Sequence, residues 1–311
     1  MRLNGVDYGP IWAGAGAVGF FGEGYWFHRY LPSLERLTFV AKTVTREPNS
    51  GNMELMRTTW QPRERFPDCI KFSFRKGIAL NAIGLSNFGL EAALRKGRWQ
   101  KRDTPFLLSF MPIARTRKGR AGETASYAAR LCSALPEFNA PVALQVNLSC
   151  PNTGEDLKAL EREAAEILGI LGTIGIPLVP KFNVQTAPST IKRLQEETRI
   201  DGVCISNTIP YGTMPERIDW GEQFGTSSPL AHLGGGGLSG APLFQLLLEW
   251  VEEARKSHFS LPINAGGGIM HASEVHALYS AGANSVSVAT VLMLRPWRIA
   301  SIIDAAYDRF A

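Results

Sequence analysis

The sequence predicts an α/β fold, a single (β/α)8 TIM barrel spanning residues 1–311 with long loops over the C-terminal face, and a doubly wound open sheet as the alternative. Three observations carry this expectation. Short β-rich runs alternate along the chain with stretches that are apolar at three- and four-residue spacing. The β-rich runs number eight. No linker rich in Pro, Ser or Gly divides the chain, and at 45% hydrophobic residues it can bury one large core.

The runs, in order, are GPIWAGAG (9–16), LTFVAKTV (37–44), PFLLSFMP (105–112), ALQVNLSC (143–150), PLVPKFNV (177–184), GVCISNT (202–208), PINAGGG (262–268) and SVSVAT (285–290). Helical patterns fill gaps between them at 154–175, 187–199, 241–257 and 272–282; Asp156 stands early in the first and Pro242 fits the first turn of the third. Strands alternating with helices argue for a parallel sheet covered on both faces. Two insertions, Thr45 to Ala79 and Thr208 to Gly236, read as structureless loops, and each follows a strand, so both are expected over the barrel mouth.

Composition excludes several classes. The four cysteines, Cys69, Cys132, Cys150 and Cys204, form no C-x-x-C pair, so neither a structural zinc nor an iron–sulfur cluster held by this chain alone is expected. The N-terminus lacks the apolar core of a secretory signal, and no run reaches a membrane-spanning length. A cytoplasmic protein with no membrane partner follows. The net charge of +5 is mild. The basic runs Arg95–Arg102 and Arg115–Arg120 read first as solvated faces and second as a patch for an anionic substrate, RNA or an acidic partner.

The C-terminal ends of the eight runs converge on one rim, where barrel enzymes carry their chemistry. They bring Ala15 and Gly16, Lys42 and Thr43, Ser109, Asn147 with Cys150, Lys181, Ser206 with Asn207 and Thr208, Gly266 to Gly268, and Ala289 with Thr290. Lys42 and Lys181 sit in apolar strands, and no Asp or Glu occupies any of the eight runs, so an anionic cofactor or substrate is their expected partner. Glycine clusters around residues 234–240 and 266–268, next to helix starts, suit a phosphate. Cys132 and Cys204 read as small buried hydrophobes. Cys150 differs, because Pro151 and the amides of Asn147 and Asn152 surround it.

AKTVTREPNSGN, LNAIGLSNFG, VNLSCPN, ISNT, GGLSGAPL and AGGGI together resemble the dihydroorotate dehydrogenases, in the order of that family and over nearly the whole chain. The resemblance implies an FMN-containing barrel that oxidises (S)-dihydroorotate to orotate in pyrimidine (UMP) biosynthesis. Cys150 would be the catalytic base, as in the soluble class 1 members, with hydride passing to flavin N5. Lys181 would lie by the flavin N1/C2=O edge. Ala15, Gly16, Lys42, Thr43, Ser109, Asn147 and Ser206 would hold the ring and ribityl chain, and Gly240, Gly267, Gly268, Ala289 and Thr290 the phosphate. Lys42, Asn81, the backbone of Ile83, Gly84 and Leu85, Asn147, Asn152, Asn207 and Thr208 would grip the substrate. The chain departs from the family pattern in GAG after the first strand, in VAT at residues 288–290, in GNMELM where GNPxPR is usual, and in the following WQPRERFPDCIKFSFRKG (60–77). The resemblance further implies a homodimer using fumarate, or a partner subunit carrying iron–sulfur and FAD for NAD; LNAIGLSNFG and GGLSGAP look more like the NAD-linked subclass. Other readings are an FMN enzyme for another dihydropyrimidine, a relative that reduces uridine in tRNA, and a non-catalytic flavin or phosphate binder.

Overall fold

A computed structural model describes residues 1–26, 28, 31–148 and 157–311. The chain opens on a two-stranded hairpin, β1 (Arg2–Leu3) and β2 (Val6–Asp7), turned by Asn4 and Gly5, both at positive φ. Asn-Gly is the pair that such a turn requires. The remaining elements follow as β3 (Ile11–Ala13), β4 (Ile70–Ser73), β5 (Ile78–Asn81), α1 (Gly89–Arg95), β6 (Phe106–Phe110), α2 (Arg117–Ala134) and β7 (Val142–Asn147). Next come α3 (Leu157–Gly172), β8 (Leu178–Phe182), α4 (Pro188–Glu197), β9 (Val203–Ile205), β10 (Ile209–Pro210), α5 (Trp220–Phe224) and β11 (Gly237–Gly240). The chain ends with α6 (Phe244–Lys256), β12 (Ile263–Gly266), α7 (Ala272–Ala281), β13 (Ser285–Val288), α8 (Thr290–Leu294) and α9 (Ile299–Phe310).

Seven parallel strands run in the order β3-β13-β12-β9-β8-β7-β6. The eighth expected strand, residues 37–44, is not a regular ladder, but it closes the ring. Thr38 bridges Trp12 on β3, while Val40 and Val44 bridge Leu107 and Phe110 on β6. From Val40 to Val44 is four residues, and from Leu107 to Phe110 is three. One extra residue therefore lies opposite β6, a bulge that interrupts the pairing.

Side-chain alternation sorts the barrel into two layers. Ile11, Ala13, Phe39, Ala41, Phe106, Leu108, Leu144, Val146, Val203 and Ile205 point outward into the large cluster shared with the helices. The opposite parity, Trp12, Val40, Leu107, Ala143, Val179 and Cys204, fills the interior, and Met1, Leu3 and Tyr8 of the hairpin pack into the same cluster. The hairpin thus plugs the N-terminal end, with the Trp12 indole N–H donating to the Tyr8 carbonyl at 2.8 Å. Two residues further up, the inward positions turn polar at Lys42, Ser109, Gln145, Lys181 and Ser206, while β3 is followed by Gly14.

The two insertions are not structureless. They supply β4, β5 and β10, which join β11 in an antiparallel sheet of order β10-β11-β5-β4, and the second also contains α5. Strands of two to four residues are too short for a readable alternation, and each depends on pairing with a distant neighbour, such as Leu238 with both Leu80 and Ile209. The basic run at 115–120 enters α2 and is largely taken up by α3: Arg117 pairs with Glu166 at 2.7 Å and Arg120 with Glu163. Among the described residues, no helix is long and apolar enough to cross a membrane.

Candidate active site

A cavity of about 700 Å³ lies between the C-terminal rim of the barrel and the antiparallel sheet. It is within the size range of small-molecule and cofactor clefts, roughly 300–1,000 Å³. Ala15, Gly16, Lys42, Thr43, Asn147, Lys181, Ser206, Gly240, Gly267, Gly268, Ala289 and Thr290 all line it, as do Asn81, Ile83, Gly84, Leu85, Asn207 and Thr208. Register brings these positions together. Asn147 stands beside Lys181, Lys181 beside Cys204, and Gly266 beside Ser287, all on the inward parity of neighbouring strands.

The bulge has a direct effect here. Ala41 and Val44 face outward into the helix layer, and both residues between them, Lys42 and Thr43, line the cavity. A regular strand would turn one of them away. Ser109 is the exception among the predicted residues: it does not form the cavity wall, but lies one layer behind, 2.8 Å from the Thr43 hydroxyl. It pairs with Gln145, two residues below Asn147, so its side chain supports the rim instead of forming it. Cys150 and Asn152 lie outside the described residues.

Electrostatics in the cavity are one-sided. Lys42, Lys181 and Arg65 line it, and no carboxylate does among the described residues. Lys42 and Lys181 are 8% and 9% exposed, and neither ammonium has a hydrogen-bond or carboxylate partner among the described residues. Burial pulls the pKa of Lys42 down to about 8; the Cys69 thiol opposes this, and Lys181 adds to it. Burial also lowers that of Lys181, with Cys204 opposing. Lys42 lies 5.5 Å from the Phe20 ring centroid, a weak substitute for an anion.

The amides are held by their neighbours. Asn207 donates to the Asn147 side-chain oxygen at 2.8 Å, and Asn81 donates to the Gly237 carbonyl at 3.3 Å. The turn at Ile83–Leu85, with Gly84 and Leu85 both at positive φ, is braced from 49–52. Asn49 donates to the carbonyls of Gly84 and Leu85 at 2.7 and 3.1 Å, and Asn52 donates to that of Ala82 at 2.7 Å. Gly51 is required there, since a Cβ would come within 2.6 Å of the Gly84 carbonyl oxygen.

At the opposite end, three glycines form a cradle beside the turn that leads into α6. Gly240 has φ 110°, and a Cβ on it would meet the Gly77 carbonyl oxygen at 2.2 Å; one on Gly268 would meet the Phe244 nitrogen at 2.4 Å. Pro242 occupies the 3-10 turn that precedes α6, as its position in the sequence suggests. Cys204 is buried as expected, but it is more than a hydrophobe. Its sulfur contacts the Ser206 hydroxyl and the Asn264 side-chain oxygen, each at 3.1 Å.

Sequence reasoning missed several wall residues. Ser287 lies within an expected strand and could have been found from its parity; Ser239 comes from the short β11, and Arg65, Ile70, Phe72 and Phe74 from the insertion, where no periodicity marks them. A second cleft, about 1040 Å³, shares Tyr25, Trp26, Pro62 and Arg65 as a wall with the first; Lys96, Arg98 and Arg102 of the basic run 95–102 line it, but none of the strand-end residues does.

The dihydroorotate dehydrogenase family model matches residues 9–307, across every strand of the barrel. The chain belongs to the dihydroorotate dehydrogenase family. Members are oxidoreductases acting on a CH–CH bond. The chain is 29% identical over 300 residues to the catalytic subunit of dihydroorotate dehydrogenase B (NAD(+)) of Endomicrobium trichonymphae, covering 94% of this chain and 86% of that protein. It is 30% identical over 287 residues to the subunit of the same name in Listeria innocua, covering 90% and 84%. In fold it is similar to ligand-free DHODH from Eimeria tenella, with a TM-score of 0.66, 18% identity, and coverage of 100% of this chain and 86% of that one. The same Eimeria enzyme in complex with ferulenol gives a TM-score of 0.68 at 19% identity, covering 98% and 82%. These dihydroorotate dehydrogenase structures support the barrel.

Proposed function

We propose that this protein is a cytoplasmic FMN-dependent enzyme that oxidises (S)-dihydroorotate to orotate. The observation that carries the reading is the convergence of two buried ammonium groups, unpaired among the described residues, and the amides of Asn81, Asn147 and Asn207 in one cavity of a chain of this family. Amides suit a ring of alternating N–H and C=O groups because each offers both a donor and an acceptor. Lys42 suits the substrate carboxylate.

Three features fit FMN. Lys181 is a buried cation in need of an anion, Gly240 and Gly268 lie so close to the backbone of Gly77 and Phe244 that a Cβ on either would force the cradle apart, and α6 begins at the same end of the cavity. Ala289 keeps the backbone donor of the glycine usual in the family. When bound, FMN supplies the acceptor for the hydride that leaves C6 of the substrate. The chain's own residues do the rest. Lys181 holds positive charge against the cofactor edge, Lys42 and the asparagines orient the substrate ring, and the antiparallel sheet keeps water from the reacting face.

Cys150 as thiolate takes the proton from C5. A free thiol titrates near 8.5, so activity rises through neutral pH into mild alkali. The test is Cys150→Ala, followed by stopped-flow reduction of the flavin. The cofactor stays bound and reduction slows about 10²-fold or more. Unchanged reduction removes the cysteine from the mechanism.

A second reading, action on another dihydropyrimidine, draws on Ile70, Phe72 and Phe74, which give the cavity an apolar wall from the segment that departs from the family pattern. A panel of substrates followed by flavin bleaching separates the two. For electron disposal, similarity to the NAD(+) catalytic subunits supports a partner subunit that carries iron–sulfur and FAD, against a stand-alone homodimer using fumarate. Reoxidation kinetics with fumarate, with quinone, and with NAD plus that partner decide between them.

A further inference from the structure

Arg65 is the third cation of the cavity, and the reading above leaves it without a role. It belongs to the insertion between the eighth-strand segment and β4, and its guanidinium lies 5.6 Å from the Trp26 ring centroid. Its near neighbour Arg63 is engaged by Glu54 at 2.6 Å, whereas Arg65 has no ion-pair partner among the described residues. With Tyr25, Trp26 and Pro62 it forms the wall between the two clefts, at the margin of the one that holds Lys42 and Lys181.

Stacking on an indole restrains a guanidinium by its flat face and leaves its N–H edge available. That edge presents two parallel donors, which match a carboxylate in a way an ammonium cannot. A cleft walled by three cations and, among the described residues, no carboxylate also draws anions from solution faster than neutral molecules of the same shape. We infer that Arg65 is a specificity-determining residue, which selects ring substrates bearing a carboxylate over neutral rings by meeting the anion at the mouth. Lys42, deeper and more buried, then receives the same group. The inference rests on the reading of this cavity as the substrate site. It assigns the selectivity to this chain's own insertion.

Flavin-loaded protein and its Arg65→Gln and Arg65→Lys variants are mixed in the stopped flow with dihydroorotate and with neutral dihydrouracil, at low and high salt. Orotate and uracil are titrated into each by calorimetry. Arg65→Gln weakens orotate binding and raises the KM for dihydroorotate about tenfold, within the range of electrostatic steering. It leaves the limiting reduction rate unchanged and flattens the salt dependence. Uracil and dihydrouracil are unaffected, and Arg65→Lys recovers part of the loss. Equal weakening for orotate and uracil, or no change in either, overturns the inference. Failure of dihydroorotate to reduce the wild-type flavin overturns the parent reading instead, while the calorimetric contrast between orotate and uracil still decides the role of Arg65.

Discussion

Replacing Lys42 by Met tests the central physical feature of the site, a buried ammonium without a partner among the described residues. In the flavin-free protein its pKa falls from the ordinary 10.5 to about 8, mainly through burial. At ~1.36 kcal/mol per pH unit, that fall corresponds to about 3 kcal/mol of destabilisation while the group is charged. The sign follows from proton binding. Below pH 8 the lysine is protonated both folded and unfolded, so the whole cost stands. Between 8 and 10.5 the unfolded chain binds more protons than the folded one, so stability rises with pH; above 10.5 no cost is left. Methionine is similar in length and uncharged. Lys42→Met therefore stabilises the flavin-free protein at pH 7 by up to about 3 kcal/mol and removes this part of the rise above pH 8, while weakening substrate binding. Urea unfolding of both proteins at pH 7 and pH 9.5 measures it, and the difference between them cancels other groups that titrate alike in both. A variant less stable than wild type at pH 7, or an unaltered pH dependence, would refute the claim that the ammonium is held at a cost for use by an anion.

Two further outcomes probe the ends of the cavity. Gly240→Ala puts a Cβ 2.2 Å from the Gly77 carbonyl oxygen at a φ of 110°, so it distorts the cradle and cuts FMN affinity while far-UV circular dichroism is retained; flavin release on ultrafiltration reads it, and full retention of cofactor counts against a phosphate at this end. Asn207→Ala removes the 2.8 Å bond to Asn147 and a donor to the ring, costing roughly 1–3 kcal/mol of substrate binding, or about 5- to 150-fold in KM. Flavin content stays constant in that variant, and a KM unchanged from wild type excludes Asn207 from the substrate grip.

Much of the site was readable because strand ends in a barrel share one rim. Once eight β-rich runs are marked, the last residues of each name Lys42, Asn147, Lys181, Ser206 and the glycines without any coordinates. The Asn4–Gly5 hairpin that plugs the barrel floor was not anticipated, because its two-residue strands precede the first β-rich run. The short strands β4, β10 and β11 were not legible, because two to four residues carry too little periodicity and gain their stability only from partners far along the chain.

The amino-acid order alone determined the alternation of strand and helix, and with it which residues stand near the C-terminal rim and that no acid lies in the eight β-rich runs beside the two strand lysines. Only the three-dimensional packing decided that Lys42 and Thr43, adjacent in the chain, both turn inward, since the extra residue opposite β6 appears only when Val40 and Val44 are set against Leu107 and Phe110. It also decided that Arg65 stands at the mouth. Periodicity is local and survives in a one-dimensional string; register between distant segments is set by which neighbours they meet.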